Sequence, residues 1–127
     1  MPRVMLIEDD LITREIYTSL LCQHEYEVVI ATELRTAWTK LQTDPVDIAL
    51  MDLVIPDTHG IELLRNLRSH KTLKNLPILV YTSQFIPSVV EEAQEAGATR
   101  IFDKTYLSAS KLLDALKECL IPGQVAA

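Results

Sequence analysis

Glycine is scarce in this chain, occurring only at positions 60, 97 and 123 of 127 residues. That leaves no glycine-rich loop to cradle the phosphates of a nucleotide and no nucleophile elbow for a hydrolase. A small flavin-binding or hydrolytic enzyme is therefore a poor reading. Cysteine is rarer still: Cys22 and Cys119 fall in helix-like segments near apolar neighbours. They read as buried free thiols in a reducing compartment, and no Cys/His spacing resembles a zinc site. Bases are outnumbered, with 12 Lys and Arg against 18 Asp and Glu and a net charge of −6. Direct nucleic-acid binding needs a local surplus of positive charge, which argues against it here. Long apolar runs are missing too. Stretches such as Ile48 to Met51 fall far short of the roughly 18 residues that suggest a membrane-spanning helix. No secretory leader is visible. The expectation is a cytoplasmic, acidic, single domain over 1–121, with 122–127 a C-terminal tail or the start of a linker.

Short runs rich in branched apolar side chains are present: Val4–Ile7, Val28–Ala31, Ile48–Met51, Ile78–Tyr81 and Ile101–Phe102. Three of them are apolar almost throughout, as expected of strands covered on both faces. Between them lie stripes with helical spacing: Ile12, Ile16 and Leu20; Leu34, Ala37, Trp38 and Leu41; Ile61, Leu64 and Leu67; Leu113, Leu116 and Leu120. A weaker helix over 88–96 has only Val89, Val90 and alanines to bury. Thr32 and Ser108 are candidate N-caps, Gly97 a candidate terminator, and Pro45, Pro77 and Pro87 sit at element edges. Strict alternation predicts an α/β fold with a doubly wound five-stranded parallel sheet and helices on both faces.

The polar residues that end these runs follow a pattern. Glu8, Asp9 and Asp10 follow the first, Asp52 the third, Thr82 the fourth and Lys104 the fifth. In an open parallel sheet, ligands bind at the carboxyl ends of the strands, where the winding reverses. All these residues then share one edge, and the second strand contributes none, as expected for the order 2-1-3-4-5. Glu8, Asp9 and Asp52 carry three negative charges and Lys104 one positive, so a divalent cation would neutralise the cluster. Carboxylates alone would repel, and one would be pushed to a higher pKa. Oxygen ligands suit Mg²⁺. The chemistry this set supports is phosphoryl transfer onto Asp52, with Lys104 and the Thr82 hydroxyl holding phosphoryl oxygens.

Over about Arg3 to Leu120 the chain resembles the receiver domain of bacterial two-component response regulators. The resemblance rests on V-M-L-I-E-D-D at 4–10, M-D-L-V-I-P-D-T-H-G at 51–60, V-Y-T-S at 80–83, E-A-G-A at 95–98 and F-D-K-T at 102–105. Their order and spacing together are specific. The resemblance implies a flavodoxin-like fold, Asp52 as phosphoacceptor, Glu8 and Asp9 as Mg²⁺ ligands and Val54 as the source of a backbone carbonyl for the metal. It also implies Thr82 as the switch hydroxyl and Lys104 as the phosphoryl-binding cation. Phosphate would come from a phosphohistidine on a sensor histidine kinase or a histidine phosphotransfer protein. The output would be a changed surface around the fourth helix, fifth strand and fifth helix, read by a downstream protein, with the domain a monomer or a phosphorylation-linked dimer. No turnover of an external substrate is implied. The alternative is a phosphate-independent interaction module that kept the fold.

Some residues read more plainly. Asp10 is expected to cap a helix, and Pro56-Asp57 to make a turn. His24, His59 and His70 read as surface residues, and Trp38 as packing. Two departures from the family pattern stand out. Thr105 replaces the usual proline after the lysine, which predicts a trans bond and an altered loop. Ile101 stands where the family usually has Tyr or Phe, and strand alternation turns Phe102 to the opposite face. Ile101 can fill a pocket behind Thr82 but has no ring to swing. Val54 and Gln84 should flank the path of hydrolytic water, and an apolar Val54 predicts slow loss of phosphate.

Overall fold

The computed structural model describes residues 1–55 and 58–120. The expected turn at Pro56-Asp57 and the expected tail at 122–127 lie outside them, as does the side chain of His59. Five strands alternate with five helices: β1 (Arg3–Ile7), α1 (Leu11–Gln23), β2 (Glu27–Ala31), α2 (Leu34–Thr43), β3 (Ile48–Asp52), α3 (Gly60–Ser69), β4 (Ile78–Thr82), α4 (Pro87–Ala96), β5 (Arg100–Asp103) and α5 (Ala109–Leu120). All pairings in the main sheet are parallel, in the order β2-β1-β3-β4-β5. A two-residue antiparallel ladder joins Val54–Ile55 to Thr58–His59.

Strand alternation sorts the core into two layers. Met5, Ile7, Ala49, Met51, Ile78 and Val80 face α2, α3 and α4, where they meet Leu34, Ala37, Leu64, Leu67 and Ala93. Val4, Leu6, Ile48, Leu50, Leu79 and Tyr81 face α1 and α5, against Leu21, Leu112 and Leu116. Every residue of β3 and β4 is buried, which is why their sequences carry no polar alternation until the last residue.

Punctuation follows local chemistry. The Asp10 carboxylate accepts from the Thr13 amide (2.9 Å) and hydroxyl (2.7 Å), capping α1 and holding its pKa below the usual value. Ser108 caps α5 through the Lys111 amide (3.1 Å). Gly97 ends α4 at φ +107°, a conformation that only glycine adopts readily. Gly60 starts α3 so close to β3 that a Cβ would lie 2.5 Å from the Leu53 carbonyl oxygen. Arg68 fastens the edge of the sheet remote from the acids. Its guanidinium donates to the carbonyls of Gly97 (2.9 Å), Leu73 (3.3 Å), Lys74 (3.2 Å) and Leu76 (2.6 Å).

Four expectations need correction. Thr32 does not cap α2, because the helix begins one residue later, after an extended Glu33 that makes no side-chain cap bond. The stripe Ile12, Ile16 and Leu20 is not the buried face of α1. Ile12 and Ile16 are 68% and 59% exposed, while Tyr17 and Leu21 turn to the sheet, with only Leu20 of the expected stripe packing beside them. Cys22 is exposed, since it follows Leu21 by one helical step and so points away from the sheet; Cys119 is half-buried. His70 is half-buried, its ring edge-on to Trp38 at 5.7 Å, whereas His24 is exposed as expected. No helix among the described residues is long and apolar enough to cross a membrane.

Candidate functional site

The strands deliver the polar residues to one edge. Asp52 and Thr82 are the last residues of β3 and β4, and Glu8 directly follows β1. All three are buried, Glu8 and Thr82 completely. Asp9 is exposed, beside them. Glu8, Asp9 and Asp52 each bring a carboxylate oxygen within 4.8 Å of the others'. Lys104 reaches in from the turn after β5, its Nζ 3.5 Å from Asp52 Oδ2 and 3.9 Å from Glu8 Oε1. Glu8, Asp9, Asp52 and Lys104 therefore meet, Thr82 ends the adjacent strand β4 at the same edge, and the second strand adds none.

Backbone donors hold the acids in place. The Val54 amide donates to Asp52 Oδ1 (3.0 Å) and the Asp10 amide to Glu8 Oε2 (3.0 Å). Thr82 Oγ1 accepts from the Gln84 amide at 3.0 Å, so its own hydrogen remains to donate. Burial pushes the Asp52 carboxyl above its ordinary pKa, against the Val54 bond and Lys104, which pull it down. Burial likewise raises Glu8, opposed by hydrogen bonds from Tyr81 and Asp10. Val54 is 45% exposed at the rim, with Phe85 and Ile86 also exposed in the loop between β4 and α4.

The donor set fits a small hard cation. Three carboxylates converge with no sulfur or imidazole among them, and one lysine leaves the group net negative. The two departures also have a place. The Lys104–Thr105 bond is trans, and Lys104–Tyr106 form a 3-10 turn capped by Asp103, whose Oδ1 accepts the Thr105 amide (3.0 Å). Ile101 packs against the α2–α4 layer and Phe102 against the other. Alternation puts Thr82 on the Ile101 side.

One participant lies inside a strand's apolar run and was not among the expected site residues. Tyr81 is fully buried, and its hydroxyl donates to Glu8 Oε1 at 2.6 Å. The signal available was a single phenol within an aliphatic run, because a buried tyrosine hydroxyl needs a partner. A groove of about 450 Å³ lies at the opposite edge, lined by Arg68, Lys74 and Arg100 among others. Two of its cations are already engaged, Arg68 with four carbonyls and Arg100 with Glu118 at 3.1 Å.

Residues 4–117 match the family model of the response regulator receiver domain. The chain belongs to this family. Receiver domains are signalling domains of two-component systems that relay from histidine kinases. Among curated proteins, this one is 37% identical over 98 residues to the two-component response regulator-like protein APRR3 of Arabidopsis thaliana, covering 76% of the chain and 20% of that protein. It is 31% identical over 96 residues to the CAI-1 autoinducer sensor kinase/phosphatase CqsS of Vibrio cholerae, covering 75% of the chain and 14% of that protein. The chain thus spans about a fifth or less of these relatives' length. Among solved structures, chemotaxis response regulator CheY4 of Vibrio cholerae superposes with a TM-score of 0.86 at 28% identity, covering 94% of this chain and 99% of that one. The receiver domain of sensor histidine kinase PA1611 from Pseudomonas aeruginosa, described with a magnesium ion in its active-site cleft, shares the fold. Its TM-score is 0.85 at 19% identity, covering 99% of this chain and 98% of that one.

Proposed function

We propose that this receiver domain is a phosphorylation-operated switch in which Asp52 accepts a phosphoryl group from a phosphohistidine. The donor would be a sensor histidine kinase or a histidine phosphotransfer protein. The observation that carries this reading is Lys104 Nζ placed 3.5 Å from Asp52 Oδ2, beside two further carboxylates. With one Asp52 oxygen accepting the Val54 amide, the carboxylate is held in a fixed orientation for attack. A new P–O bond forms as the P–N bond of the phosphohistidine breaks. Lys104 and the Thr82 hydroxyl then hold phosphoryl oxygens, so the chain contributes mainly position and charge.

Glu8, Asp9, Asp52 and the Val54 carbonyl would hold Mg²⁺, which when bound supplies positive charge to offset the incoming phosphoryl group. The exposed Val54, Phe85 and Ile86 at the rim suit a protein donor, since a macromolecule must rest on this edge to reach Asp52. The downstream effect is a changed binding surface around α4, β5 and α5. Ile101, half-buried behind Thr82, would pass the signal through backbone movement, without a ring flip.

The test is incubation with Mg²⁺ and a small acyl phosphate, followed by intact mass. Wild type is expected to gain one phosphate and Asp52→Asn none. No gain in either protein would favour the phosphate-independent interaction module instead.

A further inference from the structure

Tyr81 has none of the roles set out above, yet it meets three members of the site. Its hydroxyl donates to Glu8 Oε1 at 2.6 Å, and Lys104 Nζ lies 5.7 Å from its ring centroid. Its backbone pairs with Asp52 across the β3–β4 ladder. The side chain is itself braced, with the Tyr17 ring edge-on at 5.4 Å.

The geometry around Glu8 gives this contact a specific meaning. Glu8 is fully buried, and each of its oxygens already has a protein donor: Tyr81 on Oε1 and the Asp10 amide on Oε2. A carboxylate offers about four lone-pair positions, so roughly two remain, in directions set by those two bonds. The nearest competitor for Oε1 is Lys104, 3.9 Å away. Lys104 lies closer to Asp52, at 3.5 Å. With the phenol removed, Oε1 would be short of a donor in a buried place, and the flexible ammonium could fill that gap. The long Glu8–Lys104 pair would then shorten, and Lys104 would be drawn from Asp52.

We propose that Tyr81 is a positioning residue for the cation site: its hydroxyl fixes the Glu8 carboxylate toward the cation and holds the Glu8–Lys104 pair at its long distance, leaving Lys104 to Asp52. The inference rests on the cation site of the proposed function, but its own content is the dependence of that site on Tyr81 through Glu8.

The experiment is calorimetric titration of Mg²⁺ into the full chain as wild type, Y81F, E8Q and the Y81F/E8Q double variant, each with a thermal melt. Partners that orient a metal ligand are commonly worth 10- to 100-fold in affinity, so Y81F should weaken Mg²⁺ binding roughly tenfold. In the E8Q background the same change should cost little, because the carboxylate it orients is gone. Y81F binding Mg²⁺ as tightly as wild type would overturn the proposal, making Tyr81 ordinary core. An equal loss in both backgrounds would overturn it as well, since Tyr81 would then act through the fold at large. If Y81F alone fails to fold, restoration of folding by E8Q supports the coupling, and unfolding in both backgrounds rejects it. Wild type that binds no Mg²⁺ sinks this inference together with the metal part of the proposed function. Wild type that binds Mg²⁺ with the expected coupling, yet takes no phosphate on Asp52, sinks only the phosphorylation reading.

Discussion

Tyr81 and Thr82 are neighbours in sequence, yet they serve opposite faces of the sheet. On the α1/α5 side, Tyr81, Glu8, Asp52 and Lys104 form a linked set of charges and hydrogen bonds, with contacts between 2.6 and 3.9 Å. On the α2–α4 side, Thr82 sits above an apolar layer to which Ile101 belongs. One face can hold charge in fixed positions, and the other can answer a small movement by repacking. A one-residue step along β4 separates the chemistry of the site from the layer that would sense it.

The contrast can be broken most severely at Lys104. Removing a donor aimed at developing charge typically costs about 10²-fold, so Lys104→Gln should slow phosphate uptake from an acyl phosphate by about that factor. Thr82→Ala should stay nearer the wild-type rate but shrink the phosphate-induced NMR shifts in α4 and β5. Equal rate losses in the two variants would erase the division between faces. A smaller effect is expected at the rim. Val54→Asn should shorten the phosphorylated lifetime several-fold by giving hydrolytic water a hydrogen-bonding partner. An unchanged lifetime, followed by intact mass over time, would remove Val54 from that role.

The smallest effect concerns stability. The folded Asp52 carboxyl has a raised pKa, so the native state binds a proton that the unfolded chain releases. Stability from this group therefore falls as pH rises from the ordinary carboxylate range through the folded value. Without Mg²⁺, Asp52→Asn should melt a few degrees above wild type at pH 7. That advantage should shrink toward pH 4. An advantage that holds constant across this range would mean that burial of charge is not its source.

Much of this organisation was legible in the residues. Runs such as Ile48–Met51 announce a strand covered twice, and the polar residues ending the first, third, fourth and fifth runs mark the site's edge. The stripe on α1 was misleading for a physical reason. Two apolar sets lie on that helix, and periodicity alone does not say which one meets the sheet; Tyr17 and Leu21 do. The Tyr81–Glu8 bond spans 73 positions of sequence, so no local pattern contains it. Its trace was the phenol itself. Thr105 and Ile101 were visible as departures, but the 3-10 turn and the layer each joins depend on tertiary packing.

Arg68 gives α4 unequal ends. The guanidinium ties the Gly97 carbonyl, at the helix's far end, to α3 and the segment before β4. The near end starts at Ile86 with no side-chain cap and follows the exposed Phe85. A rod anchored at one end and loosely held at the other turns about its anchor. A displacement of the loop after Thr82 would then become a rotation of α4 about Gly97, with the largest excursion at Pro87 and the smallest beside Arg68.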